Sequence, residues 1–399
     1  MAKLRKKSKR ILIKIAAGLT AVLISPLVAE IAGNNTGVIE KLWEGEVAAH
    51  AERERAQTGS VTLPMNSSAL LLYKPSDTGG EILPKILPPL NINYSGYTAS
   101  ESEDYPFPSE LVAQVLSYNI TETREEPLKF NVVDGRIVKL NYPANGGPNF
   151  LNLDLAGQVR NETALDNDFV INESRKLPEI RLELNGEPEI LIMHTHTTEA
   201  FQPSEYDFYD ASYYGRSHDS DRNIVAVGAE MAKSFAEAGI SVIHDGTVHD
   251  FPVWNGAYAR SAETVRQILQ AYPSIKIVLD VHRDAIDNGD GSRVAPVTQV
   301  NGRDAAQVMI ISAADDGTYD VPYYLYNFRL ASLFQQYMEH DSPGITRPVL
   351  FQYCQYNQHL TPGSLLVEVG AYGNTLEEAM YAGRLIGRSM AEALLSLAD

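Results

Sequence analysis

Two histidines and a glutamate fall within six residues in His194-Thr195-His196-Thr197-Thr198-Glu199, directly after the apolar run Ile190-Leu191-Ile192-Met193. Imidazole and carboxylate side chains are the ligands of a catalytic zinc that keeps one position open for water. Two more stretches carry such groups: Asp280-Val281-His282-Arg283-Asp284, and Glu368 within Leu365-Leu366-Val367-Glu368-Val369. A zinc ion polarises a carbonyl and lowers the pKa of its water, and a nearby carboxylate that does not bind it moves the proton. Glu368 suits that second task, because a carboxylate in an apolar strand needs a partner. The single cysteine, Cys354, rules out a thiolate metal site and an intrachain disulfide framework, and reads as a small packed residue.

Each stretch also has a plainer reading. A lone histidine is as easily a satisfied core residue, and Arg283-Asp284 is as easily a surface ion pair. The three stretches together favour a metal site. His194 and His196 lie past the end of their strand, where the chain must turn. One of them is expected to bind metal, and the other to hydrogen-bond or contact substrate. His249-Asp250 reads as a substrate contact or a support for the ligands. His218-Asp219-Ser220-Asp221 reads as a capping and loop cluster. His50, His340 and His359 read as solvated or structural.

These residues need a scaffold that brings distant strand ends together. From residue 187 onward, strand-like runs alternate with helical patterns. Helices are expected at 224–238, 260–271, 325–339 and 376–397, with Asn374-Thr375 and Glu377-Glu378 capping the last. Strands are expected at 190–193, 240–243, 275–281, 308–311 and 365–369. This alternation predicts an α/β fold, a mostly parallel sheet flanked by helices, with the chemistry at the carboxyl ends of its strands.

The 399 residues suffice for one large domain with appendages, and the net charge of −18 argues against a nucleic-acid binder. Residues 1–10 form a basic segment expected to be cytoplasmic. Residues 11–32 are long and apolar enough for a single-pass cell-membrane anchor, with the body of the protein extracytoplasmic. A cleaved signal peptide is the competing reading, though the residues near Val28-Ala29-Glu30 make a poor cleavage site. Residues 33–108 read as a flexible tether, within which Leu70-Leu71-Leu72-Tyr73 could dock. Residues 109–186 read as a small β-rich region, with strands flanking Asp134-Gly135 and alternating patterns at 149–154 and 179–184. Residues 187–399 form the catalytic domain.

At His194-Thr195-His196-Thr197-Thr198-Glu199-Ala200-Phe201, Asn223-Ile224-Val225-Ala226-Val227-Gly228, Asp280-Val281-His282-Arg283-Asp284 and Glu368-Val369-Gly370, the sequence resembles the stage II sporulation protein P family. These are membrane-anchored peptidoglycan hydrolases, similar in turn to zinc-dependent N-acetylmuramoyl-L-alanine amidases. The resemblance spans about residues 187–399. It implies Zn2+ as cofactor, cleavage of the bond between muramic acid and the stem peptide, and endopeptidase activity on cross-linked stems. It also implies a place in forespore engulfment, with the sporulation proteins D and M as partners. By this resemblance His196 and His282 are metal ligands and Glu368 is the catalytic glutamate. Glu199 is the expected third ligand, with Asp219 or Asp221 as the alternative, and His194 contacts the metal or supports a ligand. The Gly-His-Gly-Gly turn of those amidases is replaced by Thr195-His196-Thr197-Thr198. Two other functions stay open: a peptidoglycan-binding scaffold with an inactive hydrolase fold, and a zinc hydrolase of another amide, such as a carboxypeptidase.

Overall fold

The computed structural model describes residues 70–76, 82–87, 90 and 133–397, apart from 214 and 252. The expected basic segment, the anchor and most of the tether lie outside the described residues. Among the described residues, no helix is long and apolar enough to cross a membrane.

Ten strands form the main sheet, in the order β2-β1-β8-β6-β9-β14-β12-β13-β5-β4. They are β1 (Leu70–Tyr73), β2 (Lys85–Ile86), β4 (Phe150–Asn152), β5 (Gln158–Glu162), β6 (Ile190–Met193), β8 (Val242–Asp245), β9 (Ile277–Asp284), β12 (Val308–Ala314), β13 (Val349–Tyr353) and β14 (Ser364–Ala371). A second sheet has the order β11-β10-β3-β7, from β3 (Gly135–Leu140), β7 (Phe208–Tyr209), β10 (Arg293–Val300) and β11 (Arg303–Ala306). The helices are α1 (Asn167–Ser174), α2 (Ile224–Glu237), α3 (Ala257–Ala271), α4 (Tyr324–Asp341) and α5 (Leu376–Leu395).

The four central strands, β8, β6, β9 and β14, run parallel, so their carboxyl ends share one edge. β12 runs antiparallel to β14 and starts a second parallel group with β13 and β5. The mixed α/β class is as expected, but the sheet is two parallel blocks joined back to front.

Side-chain alternation sorts the core into two layers. Ile190, Ile192, Val281, Val367 and Val369 face the layer built with α2, α4 and α5. Leu191, Met193, Ile243 and Val278 face the other layer with Val265 and Ile268 of α3. α5 lies close on α2 because Gly383 and Gly387 leave no Cβ; one at Gly387 would come within 2.8 Å of Ser234 Cβ. α5 opens on a capping box of Thr375 and Glu378, whereas Glu377 points outward to Arg303.

Several expectations are revised. Leu70–Tyr73, expected in the tether, is a strand of the main sheet, paired between β8 and the edge strand β2. Residues 149–162 are not part of a separate small region, since β4 and β5 complete the main sheet against β13. The strand expected before Asp134-Gly135 lies largely outside the described residues, and the one after it is β3, paired on its two sides by β10 and β7. Residues 179–184 alternate in type but form no strand, and Leu182 alone of them is buried. Residues 70–397 belong to one compact unit.

Candidate active site

β9 begins two residues later than expected and continues through His282, Arg283 and Asp284. His282 therefore sits inside the pairing rather than past it. Residues two apart on a strand share a face, so Asp280 and His282 project with Val278 toward the α3 layer. Glu368 stands in register with His282 on β14 and shares that face. After it the strand bulges at Gly370, whose φ of 68° suits a residue without a Cβ, and the register shifts before Ala371 pairs with Asp284.

Past the end of β6 the two histidines separate. His194 continues the alternation toward α2. Its Nδ1 lies 2.8 Å from the carbonyl of Val281, and its Nε2 lies 2.9 Å from Nε2 of His244. Gly228 of α2 makes room, since a Cβ there would fall 2.7 Å from both rings. Burial lowers the His194 pKa to about 4 and holds His244 well below the usual imidazole range. His194 is thus the one predicted site residue that is not brought to the face carrying Glu368. His249 backs the same turn, with Nδ1 3.0 Å from the His194 carbonyl oxygen.

His196 turns to the α3 face. Its ring stacks on Trp254, with centroids 3.6 Å apart and planes within 4°, and meets Tyr258 and His282 edge-on at 5.5 and 5.3 Å. The Arg216 guanidinium lies 3.9 Å from the Trp254 ring centre. Arg216 also donates to Asp250 Oδ2 at 2.7 Å, so one cation ties the indole to a buried carboxylate. His196 Nδ1 is enclosed and makes no hydrogen bond. Burial lowers this imidazole's pKa to about 3, leaving it neutral and able to act as a ligand.

Glu199 completes the group. Its Oε2 stands 3.5 Å from His282 Nδ1 and accepts from the Arg283 backbone N–H at 3.1 Å. Burial pushes this carboxyl up, but the His282 contact and the Arg283 charge hold it below the ordinary range. His282 is caught between Glu199 and Asp280, whose Oδ1 lies 2.8 Å from Nε2, although no aligned hydrogen bond forms there. Burial opposes charging of this ring, yet the two carboxylates raise it well above the usual imidazole range. Asp280 is held in turn by the Thr195 N–H and hydroxyl at 2.8 and 2.7 Å.

Glu368 is partly exposed as a residue, but its Oε2 is enclosed and without a hydrogen-bond partner. Burial, with Asp284 and Glu199 adding to it and His282 opposing it, raises its pKa to about 8. The alternative ligands stay away: Asp219 pairs with Arg222 at 3.3 Å and accepts from the Asp221 N–H, both on the turn before α2.

The group fits a metal in its donors. Two ligands of a tetrahedral zinc, each about 2.0–2.1 Å from the ion, stand about 3.4 Å apart. The 3.5 Å between Glu199 Oε2 and His282 Nδ1 matches that separation. Asp280 behind His282 supplies the carboxylate that commonly orients a ligating histidine. As the chain stands, no three His, Cys, Asp or Glu among the described residues are arranged to hold an ion.

Sequence reasoning quoted Asp280 without giving it a role, although its position two before His282 on a strand places it on the same face. Trp254, Tyr258 and Arg216 carry no sequence signal for this site, since loop and helix contacts alone bring them to His196.

Among solved structures, the chain is similar to the N-acetylmuramoyl-L-alanine amidase AmiC2 of Nostoc punctiforme, at 12% identity over 52% of this chain and 96% of that one, with a TM-score of 0.31. It is similar to the CwlD amidase of Clostridioides difficile, solved with the GerS lipoprotein, at 10% identity over 52% and 97%, TM-score 0.31. It is also similar to a metallo-carboxypeptidase from Burkholderia cenocepacia, at 11% identity over 55% and 60%, TM-score 0.30. At such scores these similarities say nothing of chemistry. The stage II sporulation protein P of Bacillus subtilis (strain 168) is 24% identical over 204 residues, 48% of this chain and 48% of that protein. The chain thus matches about half the length of that relative. The family model of stage II sporulation protein P matches residues 152–391 and so takes in Glu199, His196, His282 and Glu368 together. The chain belongs to the stage II sporulation protein P family.

Proposed function

We propose that this chain is a zinc-dependent peptidoglycan hydrolase, an N-acetylmuramoyl-L-alanine amidase that also cleaves cross-linked stem peptides during engulfment. His196, Glu199 and His282 would hold the ion. The observation that carries this reading is the gathering on one sheet face of these three donors with Glu368, whose enclosed oxygen has no other task. Family membership supports the setting in sporulation.

A zinc ion held there would supply Lewis acidity toward the scissile carbonyl and toward water. The chain's own residues do the rest. Glu368 accepts the proton of the attacking water and passes it to the leaving amine nitrogen, and a carboxyl with a pKa of about 8 can hold that proton near neutrality. Trp254 fixes the plane of the His196 ring, and Asp280 fixes that of His282. By the same proposal the chain is anchored in the cell membrane through residues 11–32, acts outside the cytoplasm and works with sporulation proteins D and M.

Zinc measured on the purified full chain and on His196→Ala and His282→Ala tests the site. The wild type should carry about one zinc and each variant little, whereas unchanged zinc in both would sink it. Mass spectrometry of digested sacculi tests the bond, since an amidase frees intact stem peptides from the glycan. Release of terminal amino acids instead would point to a carboxypeptidase, and binding without soluble products to a scaffold.

A further inference from the structure

We propose that Asn357 is a positioning residue for His282, acting through a one-way chain of hydrogen bonds that runs from Asn357 through Ser261 and Thr195 to Asp280. This rests on the zinc site proposed above and adds to it a residue that acts on a ligand from a distance.

Asn357 lies in the loop after β13, in a turn whose backbone is left-handed at two successive residues, Tyr356 at φ 43° and Asn357 at φ 56°. Asparagine tolerates this region, whereas a tyrosine there is strained, and such strain persists only where neighbours hold it. The holding neighbour is the buried Gln358. Its side chain accepts from the Ala313 N–H and donates to the Ile311 carbonyl on β12, both at 2.9 Å. The turn aims the Asn357 side chain at α3. There Nδ2 donates to the Tyr258 carbonyl at 2.8 Å and to Ser261 Oγ at 3.0 Å. A carbonyl only accepts, so the amide nitrogen and not its oxygen must face α3.

The remaining protons are placed by elimination. Thr195 Oγ1 donates to Asp280 Oδ2 at 2.7 Å, and a hydroxyl has one proton. The 2.7 Å contact between Thr195 Oγ1 and Ser261 Oγ must then be a bond that Ser261 donates. The other acceptor within reach of Ser261, the Tyr258 carbonyl at 3.1 Å, is farther away and already receives Asn357. Every donor therefore points one way, from amide to serine to threonine to carboxylate. Ser261 and Thr195 are fully buried, where successive bonds strengthen one another. The chain ends on Asp280, whose Oδ1 lies 2.8 Å from His282 Nε2. A carboxylate behind one ring nitrogen orients the ring and leaves the other, Nδ1, for the ion. Without the Asn357 amide, the Tyr258 carbonyl falls vacant and the Ser261 proton is free to swing to it. Thr195 then loses its donor, and the hold on Asp280 and His282 loosens.

The test measures zinc affinity of the full chain by chelator competition. Asn357→Gly keeps the left-handed backbone at no steric cost and removes only the side chain. It should weaken zinc about tenfold, the low end of the range for residues that support a ligand. Asn357→Asp, which puts an acceptor where the chain needs a donor, should fall at least as far. Ser261→Ala cuts the chain midway and should lose about as much. The double variant Asn357→Gly/Ser261→Ala should lie within about twofold of Ser261→Ala alone. Lowered stability with unchanged zinc affinity in Asn357→Gly would make the residue merely structural, and additive losses in the double variant would mean that it does not act through Ser261. Either result overturns the proposal. Should Asn357→Asp not fold, Asn357→Gly and Ser261→Ala decide. Zinc held by a wild type that releases nothing from sacculi sinks the hydrolase reading and leaves the affinities to decide this one. If the wild type binds no zinc, the His282 ring signals in nuclear magnetic resonance of the chain with isotope-labelled histidine decide, identified by their loss in His282→Ala. They should shift in Asn357→Gly and in Ser261→Ala while those of the exposed His340 stay put. Unmoved His282 signals overturn the proposal.

Discussion

Two pairs of histidines flank the same strand ends and serve opposite ends. His194 and His244 lie on the α2 face, 2.9 Å apart, roofed by Gly228. His196 and His282 lie on the α3 face, edge-on with ring centres 5.3 Å apart, among the carboxylates Glu199 and Asp280. In the first pair His194 uses both ring nitrogens inside the protein, whereas His244 uses Nε2 and keeps Nδ1 enclosed without a partner. In the second, His196 Nδ1 is likewise enclosed without a partner, but His282 stands between two carboxylates. What separates the pairs is charge: the second stands among Glu199 and Asp280, the setting from which the proposed zinc site draws its donors. Residue type alone does not separate the pairs; what surrounds them does.

The sharpest way to break this contrast is to remove the acid beside the second pair. Glu368→Gln should lower hydrolysis by about 10²–10⁴-fold, the span of general acid–base catalysis, while zinc content and thermal stability stay near wild type. Zinc and turnover assays on one preparation check this, and a variant as active as wild type would remove Glu368 from the mechanism. A smaller effect is expected from loosening His196. Trp254→Ala takes away the stacked indole and should weaken zinc about 10–100-fold, read by chelator competition. An unchanged affinity would mean that the stack orders nothing.

The first pair should answer in stability. Gly228→Ala drives a Cβ to 2.7 Å from both rings and should cost about 1–3 kcal/mol in urea unfolding, since overpacking forces buried side chains to shift. Activity per folded molecule should change little, and a selective loss of activity instead would place His194 in the chemistry. The smallest effect is a pH dependence. Burial keeps His244 neutral with its folded pKa well below the usual imidazole value, so the unfolded chain binds the proton first. The contribution is full above about pH 6.5 and is lost as pH falls from there toward the folded value. The melting temperature should decline over that window in the wild type and less steeply in His244→Phe. Parallel curves would mean that the pair does not titrate with unfolding.

Much of the architecture was legible because it is local. Runs such as Ile190–Met193 and Ile277–Val281 announce buried strands, and the period of α2 and α5 announces helices with one apolar face. Glu368 stood out as a carboxylate inside an apolar strand. Leu70–Tyr73 was harder to place, since four apolar residues say nothing of which strand they will pair with. Gln158–Glu162 gave little warning, because four of its five residues are polar or charged and mask a strand pattern, although it is paired on both sides by β13 and β4.

The sequence by itself determined that histidines and carboxylates would cluster where parallel strands end, because side-chain type and strand period are written in the chain. Only the tertiary structure decided which histidine would lie on the face that carries Glu368. One residue past a strand end, the alternation still holds and carries His194 to the α2 face. Three residues past it, the turn has reversed the chain and His196 meets Trp254. The approach of α3, the register that sets Glu368 beside His282, and the reach of Arg347 across β14 to Asp284 are contacts between residues tens of positions apart. Local pattern does not encode them, and they exist only once the sheet is assembled.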